Sequence, residues 1–325
     1  MPSGNDRSCR FEIFVQRGFN EVELTGVSAT LKAANMMIGD KRFPCRIISD
    51  MPGLVRGRGE VMVRAEPSIE GHAIADVMVV LGGERVMLES WSRRLRAMQR
   101  LNRTAVLLSD AATVYIRNKS DKNGNVTTHW RDIALLKEQG YYPNLTTRLA
   151  EKSDGVTTAA GGAGTAELII GLLTPYLEPI EVAELGNRLL LPAIRHSDAE
   201  QPRDISDNAG LFDVRVTRAI KLMEANMDEP LSMTELTSQV GLSTRHVERV
   251  FREVFDETPA RFYKRLRVRR ARAMIEDTLI PLIDVAVATG FCSHNALSRA
   301  VRDEYGNTPS KMRARKSIQL INHRN

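Results

Sequence analysis

Cysteine is scarce in this chain: Cys9, Cys45 and Cys292 are the only three in 325 residues, far apart and without a C-x-x-C pair. An odd number at such spacing leaves no disulfide framework, and the missing pair leaves no zinc pattern, so neither a metal nor a cofactor is implied. Long apolar runs are missing too. No stretch approaches the roughly 20 residues of a membrane-spanning helix, and the N-terminus is polar. These absences fit a reduced, cytoplasmic setting with no membrane partner. The length suffices for two domains, each with its own core. The net charge of +6 is unevenly spread: residues 212–316 hold 19 Lys and Arg against 14 Asp and Glu, and the rest of the chain 27 against 26. The basic excess therefore sits in the last third, as phosphate binding requires.

That last third carries one pattern twice. Residues 233–252, closed by Thr258-Pro259, and residues 283–302, closed by Thr308-Pro309, superpose with Gly241 on Gly290. After a one-residue insertion Arg249, Arg252, Phe255 and Pro259 fall on Arg299, Arg302, Tyr305 and Pro309, the mark of a duplicated unit. In each copy a short helix, with Leu236 and Val240 or Val285 and Ala288 inward, ends at a glycine suited to a left-handed turn. A Ser or Thr then caps a second helix. Its outward positions are Arg245, Glu248 and Arg249 in the first copy and His294, Asn295 and Arg299 in the second, the faces expected to enter a major groove. Residues 259–278 read as one continuous helix joining the copies, so that the recognition helices meet successive grooves roughly 34 Å apart. On these residues, 213–313 resembles the DNA-binding domain of the AraC/XylS transcription regulators, most closely from Asp284 through Gly290-Phe291 and Ser298-Arg299 to Thr308-Pro309. Cys292, Ala296-Leu297 and Val301 depart from that family at packing positions.

Residues 11–176 alternate short apolar runs (11–15, 45–48, 61–63, 76–81 and 105–108) with helical patterns (22–37 and 85–101). Such alternation predicts an α/β fold, a parallel sheet sandwiched by helices, with ligands beyond the carboxyl ends of its strands. The order of parts resembles the flavodoxin-like class I glutamine-amidotransferase domain of PfpI-type peptidases, on Gly18-Phe19, Glu23, Gly26, Leu81-Gly82-Gly83 and residues 127–130. A branch of AraC-type regulators carries this domain ahead of its DNA-binding module, and residues 155–161 are similar to that branch. The fold class implied is thus a flavodoxin-like sandwich followed by an all-α double helix-turn-helix domain.

The peptidases of this fold place an activated cysteine at a strand-to-helix turn. By the resemblance Ser109 holds that position, Asp110 replaces the neighbouring histidine, and Glu23 supplies the acidic group. The glycines of a G-x-S-x-G elbow are missing. No catalytic residue is therefore assigned, and the crevice is read as a non-catalytic effector site made by Glu23, Gly83, Ser109, Asp110, His129 and Trp130, with Trp91 as a further aromatic wall. Acidic groups beside an aromatic face suit a cationic amine, such as an amino acid or a quaternary ammonium compound.

The expected divisions are a polar tail (1–10), a sensing domain (11–195), a linker (196–212), a DNA-binding domain (213–316) and a second tail (317–325). Residues 178–191 form a helix, with Val182, Leu185, Leu189 and Leu190 on one side, that covers the sheet or meets a second copy. Taken together these readings expect a transcription activator, with promoter DNA, a small-molecule effector and RNA polymerase as partners, acting as a homodimer. A hydrolase using Ser109, or a first domain that serves only to dimerise, are the alternatives.

Overall fold

The computed structural model describes residues 8–68, 74–84, 86–121, 123–142, 144–207 and 212–314. Residues 1–7 of the first tail, 208–211 of the expected linker and 315–325 lie outside the described residues. The chain divides into two compact units between Gln201 and Pro202.

The first unit is built on an eight-stranded sheet: β1 (Phe11–Phe14), β2 (Cys45–Ser49), β3 (Gly53–Arg56), β4 (Met62–Pro67), β5 (Val77–Val80), β6 (Thr104–Leu108), β7 (Ala150–Ser153) and β8 (Val156–Ala159). Their order is β3-β4-β2-β1-β5-β6-β8-β7. Every pair between β4 and β8 in that order is parallel, and the outermost pairs, β3 with β4 and β7 with β8, are antiparallel. Parallel strands buried on both faces must be apolar at successive positions, and the side chains divide accordingly. Phe11, Ile13, Val77, Val79, Val106 and Leu108 join one core with α1 (Glu21–Ile38), α5 (Thr165–Leu173) and α6 (Pro179–Arg188). Phe14, Met78, Val80, Ala105 and Leu107 join the opposite core with α2 (Leu88–Arg100) and α3 (Ser109–Asn118). A further helix, α4 (Trp130–Glu138), buries Ile133 and Leu136 against Ile116 and Tyr142.

Several expectations change in detail. Trp91, expected to line the crevice, is fully buried in the α2–α3 core. Within residues 178–191, α6 packs through the fully buried Leu185 on the core it shares with α1 and α5. Leu190 is not on that inner side: it lies beyond the helix end with φ 53° and is exposed. Residues 196–201, expected to begin a linker, belong to the first unit. Leu149 N donates to Ala199 O at 2.8 Å, Ala150 N to Ser197 O at 2.9 Å and Gln201 N to Thr147 O at 2.9 Å, which lays this segment along residues 147–150, the stretch that leads into β7. No apolar periodicity marks it because backbone groups, not side chains, hold most of it.

The second unit is all helical: α7 (Val214–Ala225), α8 (Met233–Val240), α9 (Thr244–Phe255), α10 (Pro259–Asp277), α11 (Leu282–Ala288) and α12 (His294–Tyr305). Each copy of the repeat folds around its own core, and α10 serves both. Phe262, Tyr263 and Leu266 pack with α7, α8 and α9, whereas Val268, Ala271 and Ile275 pack with α11 and α12. Ala288, expected inward, is exposed. The inward position belongs to Thr289, whose hydroxyl is spent on Val285 O at 2.6 Å, so a polar residue occupies the place of Val240 without an unmet hydrogen bond.

Candidate functional site

Four expected residues of the crevice come together where β1, β5 and β6 end. Ser109 opens α3 with φ 38°, a left-handed conformation that a side chain rarely adopts, and this sharp turn aims its Oγ at Glu23 Oε1, 2.7 Å away. Gly82 N donates to the other oxygen of Glu23 at 2.8 Å, and Gly162 N to Oε1 at 3.1 Å. Close approach requires glycine around this carboxyl: a Cβ on Gly82 would fall 2.0 Å from Ser109 Oγ, and one on Gly161 would fall 2.1 Å from Glu23 Oε1. Burial pushes the Glu23 carboxyl up from its ordinary value, with the three donors opposing. Asp110 accepts from Gly83 N at 3.0 Å, and its carboxyl too is pushed up, by burial first and then by Asp132, with Arg58 opposing.

Ser109 Oγ makes no hydrogen bond other than that to Glu23 among the described residues. His129 is the N-cap of α4, where its Nδ1 accepts from Arg131 N at 3.3 Å. His129 and Trp130 connect to the turn through Thr128, whose hydroxyl donates to Ser109 O at 2.8 Å. The Arg131 guanidinium lies 5.2 Å over the Trp130 ring, so a cation of the protein already uses that aromatic face.

Two residues of this region carry no signal in the sequence. Arg58, from the connection between β3 and β4, reaches Asp110 at 3.6 Å and Glu84 at 3.7 Å, and so offsets the acidity expected of the crevice. Gln201 is buried: its Nε2 donates to Thr128 O at 2.8 Å and Arg148 O at 2.9 Å, while its Oε1 accepts from Trp130 N at 2.8 Å. Arg58 meets Asp110 across 52 positions and Gln201 meets Trp130 across 71, beyond the reach of any local pattern. Among the described residues no cluster of His, Cys, Asp and Glu could hold a metal ion.

The second site is the surface of α9 and α12. Ser243 caps α9 by accepting from His246 N, and Ser293 caps α12 by accepting from Ala296 N. Arg245, Glu248, Arg249, His294, Asn295 and Arg299 are all exposed or partly so, on the outer side of their helices. Arg249 is braced by Glu253 at 2.9 Å, and Arg299 has no ion-pair partner among the described residues. Arg267 on α10 is the residue that sequence alone does not single out. By composition it belongs to the surface charge of that helix, yet it is half-buried, stacks 4.8 Å from the centre of the Phe291 ring and donates to Gly290 O at 2.8 Å. It thereby ties α10 to the turn of the second copy.

Two exposed, capped helices repeated about a common helix define a DNA-binding transcription regulator, and comparison with known proteins agrees. The helix-turn-helix domain family matches residues 236–315. The HTH-type transcriptional regulator CdhR of Pseudomonas aeruginosa is 26% identical over 302 residues, covering 91% of this chain and 89% of the relative. GlxA of Rhizobium meliloti, an HTH-type transcriptional regulator, is 25% identical over 312 residues, covering 94% of this chain and 96% of the relative. A solved transcriptional regulator of Chromobacterium violaceum, with an AraC-type DNA-binding domain, is 36% identical over 34% of this chain and 96% of its own, with a TM-score of 0.32. The chain is a DNA-binding transcription regulator whose residues 236–315 form an AraC-type helix-turn-helix domain. No helix among the described residues is long and apolar enough to cross a membrane.

Proposed function

We propose that the protein is a cytoplasmic, effector-responsive activator: α9 and α12 contact promoter DNA through Arg245, Glu248, Arg249, His294, Asn295 and Arg299, and the first unit senses a small metabolite. The observation that carries the reading is the pair of exposed recognition faces held by α10. Arg249 and Arg299 occupy equivalent positions, where an arginine reads guanine bidentately or clamps phosphate. Arg299→Ala should cost about 1–3 kcal/mol on the operator and much less on scrambled DNA if it reads bases. Unchanged binding in both Arg249→Ala and Arg299→Ala would sink the assignment.

The effector site is the crevice at Glu23, Gly83, Ser109, Asp110, His129 and Trp130. An effector carrying a cationic amine competes with Arg58 for Asp110, so Asp110→Asn should abolish the response while sparing operator binding. Ser109 donates to a buried carboxyl group and stands where the enzymes of this fold have cysteine, which favours binding over hydrolysis; a stoichiometric adduct at Ser109 with a serine-reactive probe would reverse that preference. Dimerisation and recruitment of RNA polymerase complete the proposal. Effector and operator then bind the same state, so each must tighten the other. Deleting residues 1–201 should leave DNA binding that ignores the effector.

A further inference from the structure

A groove distinct from the crevice runs along α5. It encloses about 530 Å³ between that helix, the β7–β8 hairpin and residues 194–197, within the roughly 300–1,000 Å³ typical of small-molecule sites. Its body is apolar, with Leu149, Leu168, Leu172, Val182 and Ile194 among its walls. A glycine in the middle of α5, Gly171, lines it too, and a Cβ there would meet nothing within 4 Å. Mid-helix glycine is unfavourable by roughly 1 kcal/mol relative to alanine; here its effect is to keep the groove open.

The polar groups are unbalanced. Arg195 donates its Nε to Glu167 Oε1 at 2.9 Å, its Nη2 to Oε2, and its backbone N to Oε1 at 3.1 Å, which saturates a carboxylate that is only 6% exposed. The Arg195 side chain is 38% exposed, and its Nη1 makes no hydrogen bond among the described residues. Glu151 is held by Arg148 at 3.4 Å, whereas Lys152 has no ion-pair partner among the described residues. The groove therefore presents one cation in excess and a fixed, planar donor edge. On the same wall the Thr165 hydroxyl is fully buried without a hydrogen-bond partner.

We propose that this groove binds a small organic anion with an unbranched apolar body, its carboxylate on the open edge of Arg195 and its chain along α5. A guanidinium already oriented by a buried carboxylate receives a second carboxylate with little loss of side-chain freedom. One wall, residues 194–197, continues into the segment paired with residues 147–150, so occupation steadies that segment.

The test uses the full-length protein, with octanoate as probe and octylamine as the matched cation. Calorimetry should find octanoate bound at least about tenfold more tightly than octylamine, since a charge-assisted pair is gained by only one of them. Octanoate should also slow hydrogen exchange at the amides of Leu149 and Ala150. Arg195→Gln leaves Glu167 buried and unpaired, so the informative variant is Gly171→Leu, which fills the groove, keeps the melting temperature and removes octanoate binding. Absence of octanoate binding, equal affinity for octylamine, or binding that survives Gly171→Leu would overturn the proposal. Loss of octanoate binding in Asp110→Asn would do so as well, by placing the anion in the crevice.

Discussion

Glu23 combines full burial with three donors, and each consequence is measurable. Its folded-state carboxyl holds a proton more tightly than the unfolded chain does, so the native state binds more protons above the ordinary carboxylate range. Stability from this group is complete below about pH 4.3 and is lost as pH rises through the folded value. Urea titrations followed by tryptophan fluorescence report the first unit, which contains both Trp91 and Trp130. The wild-type midpoint should fall across that window relative to Glu23→Gln, which has no proton to lose there. The same variant should be less stable at neutral pH by about 1–3 kcal/mol, because the amide presents a donor to one of Gly82 N and Gly162 N. A midpoint difference that does not vary with pH would refute the titration argument. The cluster itself is legible in part. Glu23, Ser109 and Asp110 stand out through a resemblance to enzymes of the fold, but Arg58 and Gln201 are set by tertiary placement and have no local pattern.

Turns and helices of the second unit are legible because their chemistry is local. Cap, glycine and inward periodicity lie within twenty residues of one another in each copy, and the spacing repeats. Even so, the two glycines are not equivalent. At Gly241, with φ 76°, an added Cβ would meet nothing within 4 Å, whereas at Gly290, with φ 66°, it would lie 2.5 Å from Met227 O and 2.6 Å from Pro230. Gly241→Ala should cost only the left-handed backbone penalty, about 1–2 kcal/mol. Gly290→Ala must add a backbone collision, so thermal melts by circular dichroism should show a clearly larger fall. Equal effects would mean that the turn shifts away from Met227 at no cost. Arg267→Lys should also destabilise this unit, since an ammonium cannot reproduce both the stacking on Phe291 and the directed donor to Gly290 O. In the first unit β3 and the β7–β8 hairpin leave no readable pattern. The edge strands β3 and β7 each bury a single residue, so no apolar run marks them.

At the scale of the whole molecule, two units of different architecture follow from charge distribution and from the change of periodicity. Their division does not. Residues 196–201 look like linker in composition, but Gln201 is buried among backbone groups of the first unit and Ala199 pairs with Leu149. The consequence concerns where the chain can be cut. A fragment ending at residue 195 strips the partner from Leu149 N and Ala150 N and bares the backbone of residues 147–150 beside the edge strand, which invites self-association. A fragment ending at Gln201 keeps that backbone covered. Light scattering should find the shorter fragment aggregated and the longer one dispersed at equal concentration; equal behaviour would mean that another part of the chain shields residues 147–150. Residues 197–200 are thus a selvedge, the finished border of the stretch that leads into the edge strand.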